Sequence, residues 1–361
     1  MALIRAAVAH EFGAPLTIEM VELRAPEAGE VEVTLDACAI CHSDISFIDG
    51  GWGGDLPAIY GHEAAGTITA MGAGVKGFAQ GDKVLVTLIR SCGDCAPCSS
   101  GAPVACNGDI SMNGPLSMPD GTPVTQAMAC GAFAEKVVVQ PRQMVKLPDD
   151  IAMDVASLLA CGVITGVGAV VNSAALRPGQ TAVIIGAGGV GLNAIQGARI
   201  AGAAKIIAVD MVPEKLEIAK EFGATHGVLA SEGAPWKQVA DITNRAMADA
   251  VFVTVGAIPA YEQALRYIGA KGKMVMVGMP HSGATADYEP VIVAALGQQM
   301  IGSKMGDVVL ARDIPWLIDL YQQNRLKLDE LISGRWSLDD INEAIANTKS
   351  GAARRNVVIF R

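Results

Sequence analysis

The chain has 361 residues, which is long for one hydrophobic core, and we expect two domains of about 150–200 residues each. Hydrophobic residues make up 51% and charged residues 18%, and the net charge of −10 comes without a lysine or arginine cluster, which argues against a nucleic-acid partner. The N-terminus lacks a signal-peptide pattern and no uninterrupted stretch of about 20 apolar residues follows, so we expect a cytoplasmic protein without a membrane partner.

The first ~150 residues contain short β-strand patterns separated by glycine and proline. The predicted strands cover 31–35, 65–70, 83–88 and 133–139. This pattern is typical of an irregular antiparallel β domain that carries long functional loops.

The pattern changes near residue 160, where apolar strands begin to alternate with helices. The strands are predicted at 181–185, 205–209, 250–255 and 273–277, and the helices at 192–201 and from Pro213 to a stop at Gly223. Such alternation predicts a parallel, doubly wound sheet.

The last part of the chain is predicted to contain helices at 314–321 and 338–348, with Pro315 in a first helical turn. A final strand at 356–360 could pair back onto the first domain.

Gly186, Gly188 and Gly191 form a G-x-G-x-x-G pattern. A chance glycine-rich turn is the alternative, since the chain has 41 glycines. A buried strand before the pattern, a helix after it and an acidic residue 19 positions beyond Gly191 favour a dinucleotide site. The residues predicted to bind the cofactor here are Gly186, Gly188, Gly189, Val190 and Gly191.

The acidic residue is Asp210, placed to accept hydrogen bonds from the ribose hydroxyls. A 2′-phosphate would meet this carboxylate, and the next residue is Met211 rather than an arginine. The sequence therefore predicts NAD in preference to NADP.

Four of the eight cysteines, Cys92, Cys95, Cys98 and Cys106, fall within 15 residues. This spacing predicts a structural zinc site closed by four thiolates. An iron–sulfur cluster is the rival, but the seven-residue gap before Cys106 and the absence of a Cys-Pro pair favour zinc. Unpaired buried thiols are the third alternative.

Three further segments are weak evidence singly: Cys41-His-Ser-Asp44, Gly61-His-Glu63 and Cys161-Gly-Val-Ile-Thr-Gly166. Cys38 makes a C-x-x-C pattern with Cys41, but it lies in an apolar strand pattern, and we interpret it as a packing residue.

Taken in order with the four-cysteine lobe, the glycine pattern and Asp210, these segments make the chain resemble the medium-chain, zinc-containing alcohol dehydrogenase family over nearly its whole length. The resemblance implies an α/β protein with a GroES-like catalytic domain, residues 1–162 with 306–361, and a Rossmann domain, residues 163–305. It also implies two zinc ions per chain and reversible hydride transfer between an alcohol carbon and NAD.

Carried over position by position, the resemblance implies that Cys41, His62 and Cys161 bind a catalytic zinc ion. Asp44 would orient His62, and Glu63 would lie near the metal as a transient ligand. Ser43 would hydrogen-bond the substrate hydroxyl and begin a proton relay.

Other positions follow or depart from the family pattern. Arg355 matches an arginine that contacts the cofactor phosphate, and Lys215 would reach the adenosine ribose; ordinary surface charges are the alternative for both. His42 replaces a phosphate-contacting arginine of many relatives, and it should hold the cofactor more loosely. Ser46 replaces a histidine that ends the relay in several relatives, so its part in the relay is open.

The resemblance places Trp52, Leu88 and Met279 near the substrate channel, which implies a mostly apolar pocket for a primary or simple secondary alcohol. The residues 107–120 contain no arginine or lysine, which disfavours a glutathione adduct. A polyol dehydrogenase is the nearest alternative, although Cys161 fits the alcohol dehydrogenase pattern better than the carboxylate that is common there. A zinc-binding structural or redox protein would not explain Gly186–Asp210. The metal-ligand cysteines and Asp210 oppose a zinc-free NADPH quinone reductase, which shares the fold. The short loop at 120–133 suggests a homotetramer, with a dimer as the alternative.

Overall fold

The computed structural model describes residues 1–110, 112 and 114–360. Its strands are β1 Ala2–Ala9, β2 Thr17–Leu23, β3 Val31–Ala39, β4 Ala58–Ile59, β5 Glu63–Met71, β6 Lys83–Thr87, β7 Leu116–Ser117, β8 Pro123–Gln126, β9 Lys136–Val139, β10 Met144–Lys146, β11 Thr181–Ile185, β12 Lys205–Asp210, β13 His226–Leu229, β14 Ala248–Val253, β15 Ile268–Met276, β16 Gln299–Gly302, β17 Ile332–Ser337 and β18 Arg355–Ile359.

The helices are α1 His42–Ile48, α2 Ala96–Ser99, α3 Met153–Ser157, α4 Gly162–Gly168, α5 Gly189–Ile200, α6 Pro213–Glu221, α7 Pro235–Ile242, α8 Ile258–Ala264, α9 Pro290–Leu296, α10 Leu310–Gln322 and α11 Ile341–Lys349. Short 3-10 helices cover Pro103–Ala105, Ala127–Ala129, Pro141–Gln143, Leu158–Ala160, Leu265–Tyr267, Met305–Asp307, Asp329–Leu331 and Leu338–Asp340, and a π-helical turn covers Ala169–Ser173.

Contacts divide the chain into two units. The first contains Met1–Cys161, Val309–Asp319 and Leu328–Arg361, and the second contains Gly162–Val308 and Leu320–Lys327. The domain limits expected from the sequence remain a prediction.

The first unit contains two β-sheets, one of which is closed. Strands β1, β2, β7, β8 and β4 form a closed barrel, and a larger sheet has the order β10-β6-β5-β3-β18-β17, with β9 paired to β3. Strand β18 pairs antiparallel with β3, which confirms that the last strand returns to the first part of the chain. Buried apolar side chains of both sheets form one core, in which Phe133 is fully buried.

The second unit contains a six-stranded sheet of order β13-β12-β11-β14-β15-β16, and all its neighbouring strands are parallel. Its central strands are almost fully buried because helices cover a parallel sheet on both faces. The predicted doubly wound sheet is therefore confirmed.

Some element limits differ from the predictions for identifiable reasons. Helix α10 begins at Leu310, so Pro315 is its sixth residue and the prediction of a first-turn proline is wrong. The Asp313 carboxylate accepts the Val309 N–H at 2.9 Å, which stabilises a helix start before the proline. Strand β9 begins only at Lys136 because Phe133 donates its N–H to the Tyr60 carbonyl instead.

Among the described residues, no single helix is long and apolar enough to cross a membrane. The adjoining helical stretches Met153–Ala160 and Gly162–Ser173 meet the length and composition test only when they are taken together.

Candidate metal centre and cofactor site

The four cysteines of the predicted lobe, Cys92, Cys95, Cys98 and Cys106, lie together with their sulfur atoms within 4.8 Å of one another. The Cys92 Sγ atom lies 4.0 Å from the Sγ atom of Cys98 and 3.6 Å from that of Cys106. The Sγ atoms of Cys95 and Cys106 lie 3.8 Å apart. Tetrahedral zinc with Zn–S bonds of about 2.3 Å separates its sulfurs by about 3.8 Å, so the spacing fits. Backbone N–H groups of Cys92 and Cys95 point at neighbouring sulfurs over 3.3 Å, which stabilises thiolates.

An arginine lies against this lobe. Gly93 has φ of +91°, and a Cβ there would fall 1.5 Å from a guanidinium nitrogen of Arg142. A glycine is therefore needed for the cation to approach the thiolate-rich loop. A cavity of about 710 Å³ borders the same lobe and is lined in part by Asp94, Asp109 and Arg142.

The second cluster begins at helix α1, whose N-cap is Cys41. Asp44 in the first turn is fully buried and accepts the Cys41 N–H over 3.0 Å and the Gly61 N–H over 2.9 Å. Its Oδ1 also lies 2.9 Å from Nδ1 of His62. One carboxylate thus fixes the backbone at Cys41 and the ring of His62 through charge-assisted hydrogen bonds.

His62 is fully buried, and its Nε2 makes no hydrogen bond within the described part of the chain. Gly61 brings it there: φ is +91°, and a Cβ would fall 2.6 Å from the backbone nitrogen of Phe133. Burial lowers the pKa of His62, but Asp44 and the Cys41 sulfur raise it more, so its pKa lies well above the usual value. A cation at Nε2, proton or metal, is therefore stabilised.

Cys41, His62, Glu63 and Cys161 place one ligand atom each within 4.8 Å of the others, and all four are buried. The contact between the thiols lowers the pKa of Cys41 well below the usual value and raises that of Cys161. A bound metal ion would favour the thiolate of both. Two thiolates and an imidazole whose Nε2 has no hydrogen bond to any described residue fit a zinc ion with an open position.

Glu63 forms an ion pair with Arg355, and both side chains are buried. Burial raises the pKa of Glu63 to about 7 against the opposing effect of the Arg355 cation. Strand β18 carries Arg355 into this cluster, a position that the sequence did not predict. Its contact with a cofactor phosphate stays a prediction.

Helix α1 also carries the residues predicted to act around the cofactor and in the relay. His42 is exposed, while Ser43 and Ser46 are half-buried. Ser43 stands two residues after the ligand Cys41, in the first turn of the helix. The roles predicted for these three residues stay predictions.

The glycine pattern connects β11 to α5, as predicted. Gly186 has φ of +95°, and a Cβ on Gly191 would lie 1.8 Å from the Gly186 carbonyl oxygen. A Cβ on Gly188 would meet nothing within 4 Å, so the backbone is open at that point. The turn and the close packing therefore need glycine at the first and third positions, and Gly188, the N-cap of α5, leaves room for a ligand. Gly189 and Val190 begin the helix.

Asp210 ends β12 beside this turn. Its carboxylate accepts the Ala187 N–H over 2.7 Å and the Val212 N–H over 3.0 Å. Lys215 is half-buried in the first turn of α6. The geometry joins Asp210 to the glycine turn; the ribose contacts of Asp210 and Lys215 stay predictions.

The predicted substrate residues have different surroundings. The Trp52 ring packs edge-on against Phe47, with 4.9 Å between the ring centroids. Leu88 is partly buried against the core of the first unit. Met279 belongs to the second unit and is 62% exposed.

Three polar residues near the predicted sites were not found from the sequence. Thr254 donates to the carbonyl oxygens of Ile185 and Gly186 over 3.0 and 2.9 Å and so holds the glycine turn. Thr87 is buried and pairs with Glu63 in the sheet, and the buried Gln143 donates to the Thr87 carbonyl oxygen over 3.1 Å. For Thr87 and Thr254, only their position at the end of an apolar strand could have signalled these roles, and this signal is weak.

Comparison with known proteins agrees with both clusters. The family of the alcohol dehydrogenase GroES-like domain matches residues 27–149, and the zinc-binding dehydrogenase family matches residues 189–323. An NDMA-dependent alcohol dehydrogenase from Amycolatopsis methanolica is 35% identical over 98% of each chain. The chain belongs to the zinc-containing medium-chain alcohol dehydrogenase family.

Two other relatives support this assignment. An S-(hydroxymethyl)glutathione dehydrogenase from Paracoccus denitrificans is 33% identical over 99% of each chain. A benzyl alcohol dehydrogenase from Acinetobacter calcoaceticus is 30% identical in sequence over the whole of both chains, and its crystal structure matches this one with a TM-score of 0.94. The protein is a zinc alcohol dehydrogenase, and its relatives carry different substrate names.

Asp44→Asn should weaken zinc binding of this dehydrogenase at the catalytic cluster by about 100-fold, the upper end of the effect of such supporting residues. An amide cannot accept from Cys41, Gly61 and His62 together, because its NH₂ group would face another donor. Zinc content after dialysis against a buffered chelator measures the change. Asp49→Asn is the control, since Asp49 caps the opposite end of the same helix and pairs with the surface residue Lys349. Equal zinc content in both variants would contradict the role given to Asp44.

Proposed function

We propose that this zinc alcohol dehydrogenase transfers hydride between primary or simple secondary alcohols and NAD, and reduces the matching aldehydes or ketones. The observation that carries the proposal is the buried cluster of Cys41, His62 and Cys161. In it Asp44 holds His62 by Nδ1, and Nε2 has no hydrogen-bond partner among the residues that the structure describes. Such a set suits a Lewis-acid metal with one open position.

When bound, zinc supplies the positive charge that polarises the oxygen of the alcohol or carbonyl, and NAD accepts or returns the hydride. Cys41, His62 and Cys161 would hold the metal. Asp44 keeps the imidazole in the required orientation, and Glu63 in its ionised form balances the charge of Arg355 beside the cluster. Ser43 accepts the proton of the alcohol hydroxyl at its Oγ and passes its own proton towards solvent.

The proposal of NAD over NADP rests on Asp210, whose carboxylate lies beside the glycine turn. A 2′-phosphate placed near this carboxylate would be repelled. No arginine neighbours Asp210 in the sequence, where Met211 and Val212 follow.

Changing Asp210 to serine should narrow the preference for NAD over NADP by about 1–3 kcal/mol in kcat/KM, because the ribose loses an acceptor and the repulsion disappears. Steady-state kinetics with both cofactors measure it. Asp249→Ser is the matched control. The Asp249 carboxylate also accepts a backbone N–H, that of Thr181 over 2.7 Å, and Thr181 begins the strand that leads into the glycine turn. A wild-type enzyme that uses NADP as readily as NAD would overturn the role given to Asp210.

The substrate proposal rests on the apolar character of Trp52, Leu88 and Met279. A panel of ethanol, longer primary alcohols, secondary alcohols and benzyl alcohol, with the matching aldehydes and ketones, should show turnover with NAD(H) that chelation abolishes. Sorbitol tests the alternative of a polyol dehydrogenase. Turnover confined to sorbitol would refute the proposed substrate class.

Two further substrate tests follow from the names of relatives. S-(hydroxymethyl)glutathione should be a poor substrate, because residues 107–120 offer no cationic side chain for its carboxylates. NDMA, supplied in place of NAD, tests whether the enzyme depends on that compound. Activity with NDMA and none with added NAD would refute the proposed use of NAD as a cosubstrate that exchanges with solution.

We also propose a homo-oligomer, a tetramer rather than a dimer. Strand β16 lies at an edge of the parallel sheet, and the neighbouring helix α9 has no buried residue. The exposed apolar side chains here are Tyr288, Val291, Ile292, Leu296 and Met300. A second copy of this edge would cover them and pair the strand. Light scattering should show a tetramer for wild type and a smaller species for Val291→Glu; a dimeric wild type would refute the tetramer, and a monomeric one would refute any oligomer.

A cytoplasmic location is proposed as well. All eight cysteines are free thiols, and four of them are metal ligands in the proposed lobe. A reducing compartment keeps such a set available for zinc. Fractionation of the source cells tests this location.

A further inference from the structure

Thr87 ends strand β6 and pairs in the sheet with Glu63 on β5. Its side chain is buried, and Oγ1 donates a hydrogen bond of 2.7 Å to the carbonyl oxygen of Ala160. A buried hydroxyl without a partner is unfavourable, so this bond fixes both groups. Thr87 thus links a strand of the metal cluster to the segment that precedes Cys161.

The bonded carbonyl belongs to the peptide group that joins Ala160 to Cys161. That group is planar, so holding its oxygen also fixes the positions of the nitrogen and Cα of Cys161. Cys161 itself has φ of −146° and ψ of −68°, between the 3-10 helix Leu158–Ala160 and helix α4. Regular helical geometry does not set the direction of this thiol, so the Thr87 contact has an orienting effect.

Gln143 holds Thr87 from the other side. Its Nε2 donates to the carbonyl oxygens of Thr87 over 3.1 Å and of Ala129 over 2.9 Å. Its Oε1 accepts the Gln140 N–H over 3.1 Å and Nε of Arg90 over 3.3 Å. This amide is fully buried, and its bonds give Thr87 a fixed backbone from which to reach Ala160.

We propose that Thr87 is a positioning residue that orients Cys161 for the catalytic zinc, with Gln143 as its support. The inference rests on the proposed function, in which Cys161 is the third protein ligand. Valine has nearly the shape of threonine but lacks the hydroxyl. An effect of Thr87→Val would therefore come from the loss of one hydrogen bond rather than from a change in packing.

The test compares the zinc-loaded wild type with Thr87→Val and Thr87→Ser during exposure to a chromophoric chelator. Supporting residues of this kind change metal affinity by about 10–100-fold, so Thr87→Val should release one zinc on the order of 10-fold faster. The phase that coincides with loss of activity in wild type identifies the catalytic zinc. Release from the four-cysteine lobe is the internal reference and should not change. Thr87→Ser keeps the hydroxyl and should stay within about 3-fold of wild type.

Thr243→Val is the matched control, because Thr243 is also buried and donates to a carbonyl oxygen, that of Val239, over 2.8 Å in the other unit. Its release of the catalytic zinc should equal that of wild type.

Three outcomes would overturn the inference. These are unchanged release in Thr87→Val, equal acceleration of both zinc phases with a lower Tm, and the same acceleration in Thr87→Ser as in Thr87→Val. Each of them leaves the proposed function standing. A wild type that holds a single zinc ion and keeps full activity would instead refute the proposed function, and the inference with it.

Discussion

Mild chelation of the zinc-loaded enzyme should abolish alcohol oxidation when one zinc per chain has been removed, while the fold persists. The catalytic cluster supplies three ligands and a nearby carboxylate, whereas four thiolates close the lobe. An open position lets a chelator bind before a protein ligand leaves, and this difference should outweigh the partial exposure of the lobe sulfurs. Elemental analysis, activity and circular dichroism followed together measure the order of loss.

Return of one zinc equivalent should restore activity, which serves as the control for irreversible damage. Two zinc ions per chain are expected before chelation. Iron in the preparation, or full activity with a single zinc, would contradict the assignment of the two sites.

Ser43→Ala should lower kcat by at least about 100-fold, since proton transfer by a positioned group is worth about 10²–10⁴-fold. The change removes only the hydroxyl from the first turn of α1, two residues after Cys41. Zinc content and NAD affinity should therefore stay near those of wild type. Steady-state kinetics, zinc analysis and Tm are measured on the same preparations.

Ser43→Thr keeps a hydroxyl and should remain active, and Ser46→Ala on the same helix shows whether the relay continues through that residue. If Ser43 only stabilises the loop after Cys41, alanine would lower Tm and leave the turnover of zinc-loaded enzyme within a few-fold of wild type. That result would remove Ser43 from the mechanism.

The metal ligands could be predicted because their types and order along the chain form a pattern, and the lobe was predicted from spacing alone. The glycine turn could also be predicted, since the strand before it and the helix after it adjoin it in the sequence. These signals are local or share one linear order.

The partnerships of buried polar groups could not be predicted. Thr87 meets Ala160 and Glu63 meets Arg355 only after distant strands have paired, and neither pair has a characteristic spacing. The start of α10 was missed for a related reason. Proline is tolerated in the first turn of a helix, so Pro315 predicted a helix that begins at about residue 314. The hydrogen bond from the Val309 N–H to the Asp313 carboxylate instead stabilises a turn before Pro315, and the helix begins at Leu310.

The two metal clusters differ in how far apart their ligands lie along the chain. The lobe ligands span Cys92 to Cys106, whereas the catalytic ligands span Cys41 to Cys161. Closing a loop eight times longer costs about 2 kcal/mol more in chain entropy, and the catalytic ligands also need β5 and helix α1 in place. During synthesis or refolding, the lobe can therefore take up its metal while most of the chain is still unfolded. The catalytic cluster can form only when the first unit is nearly complete, so recovery of activity should report the last step of folding rather than the first binding of zinc.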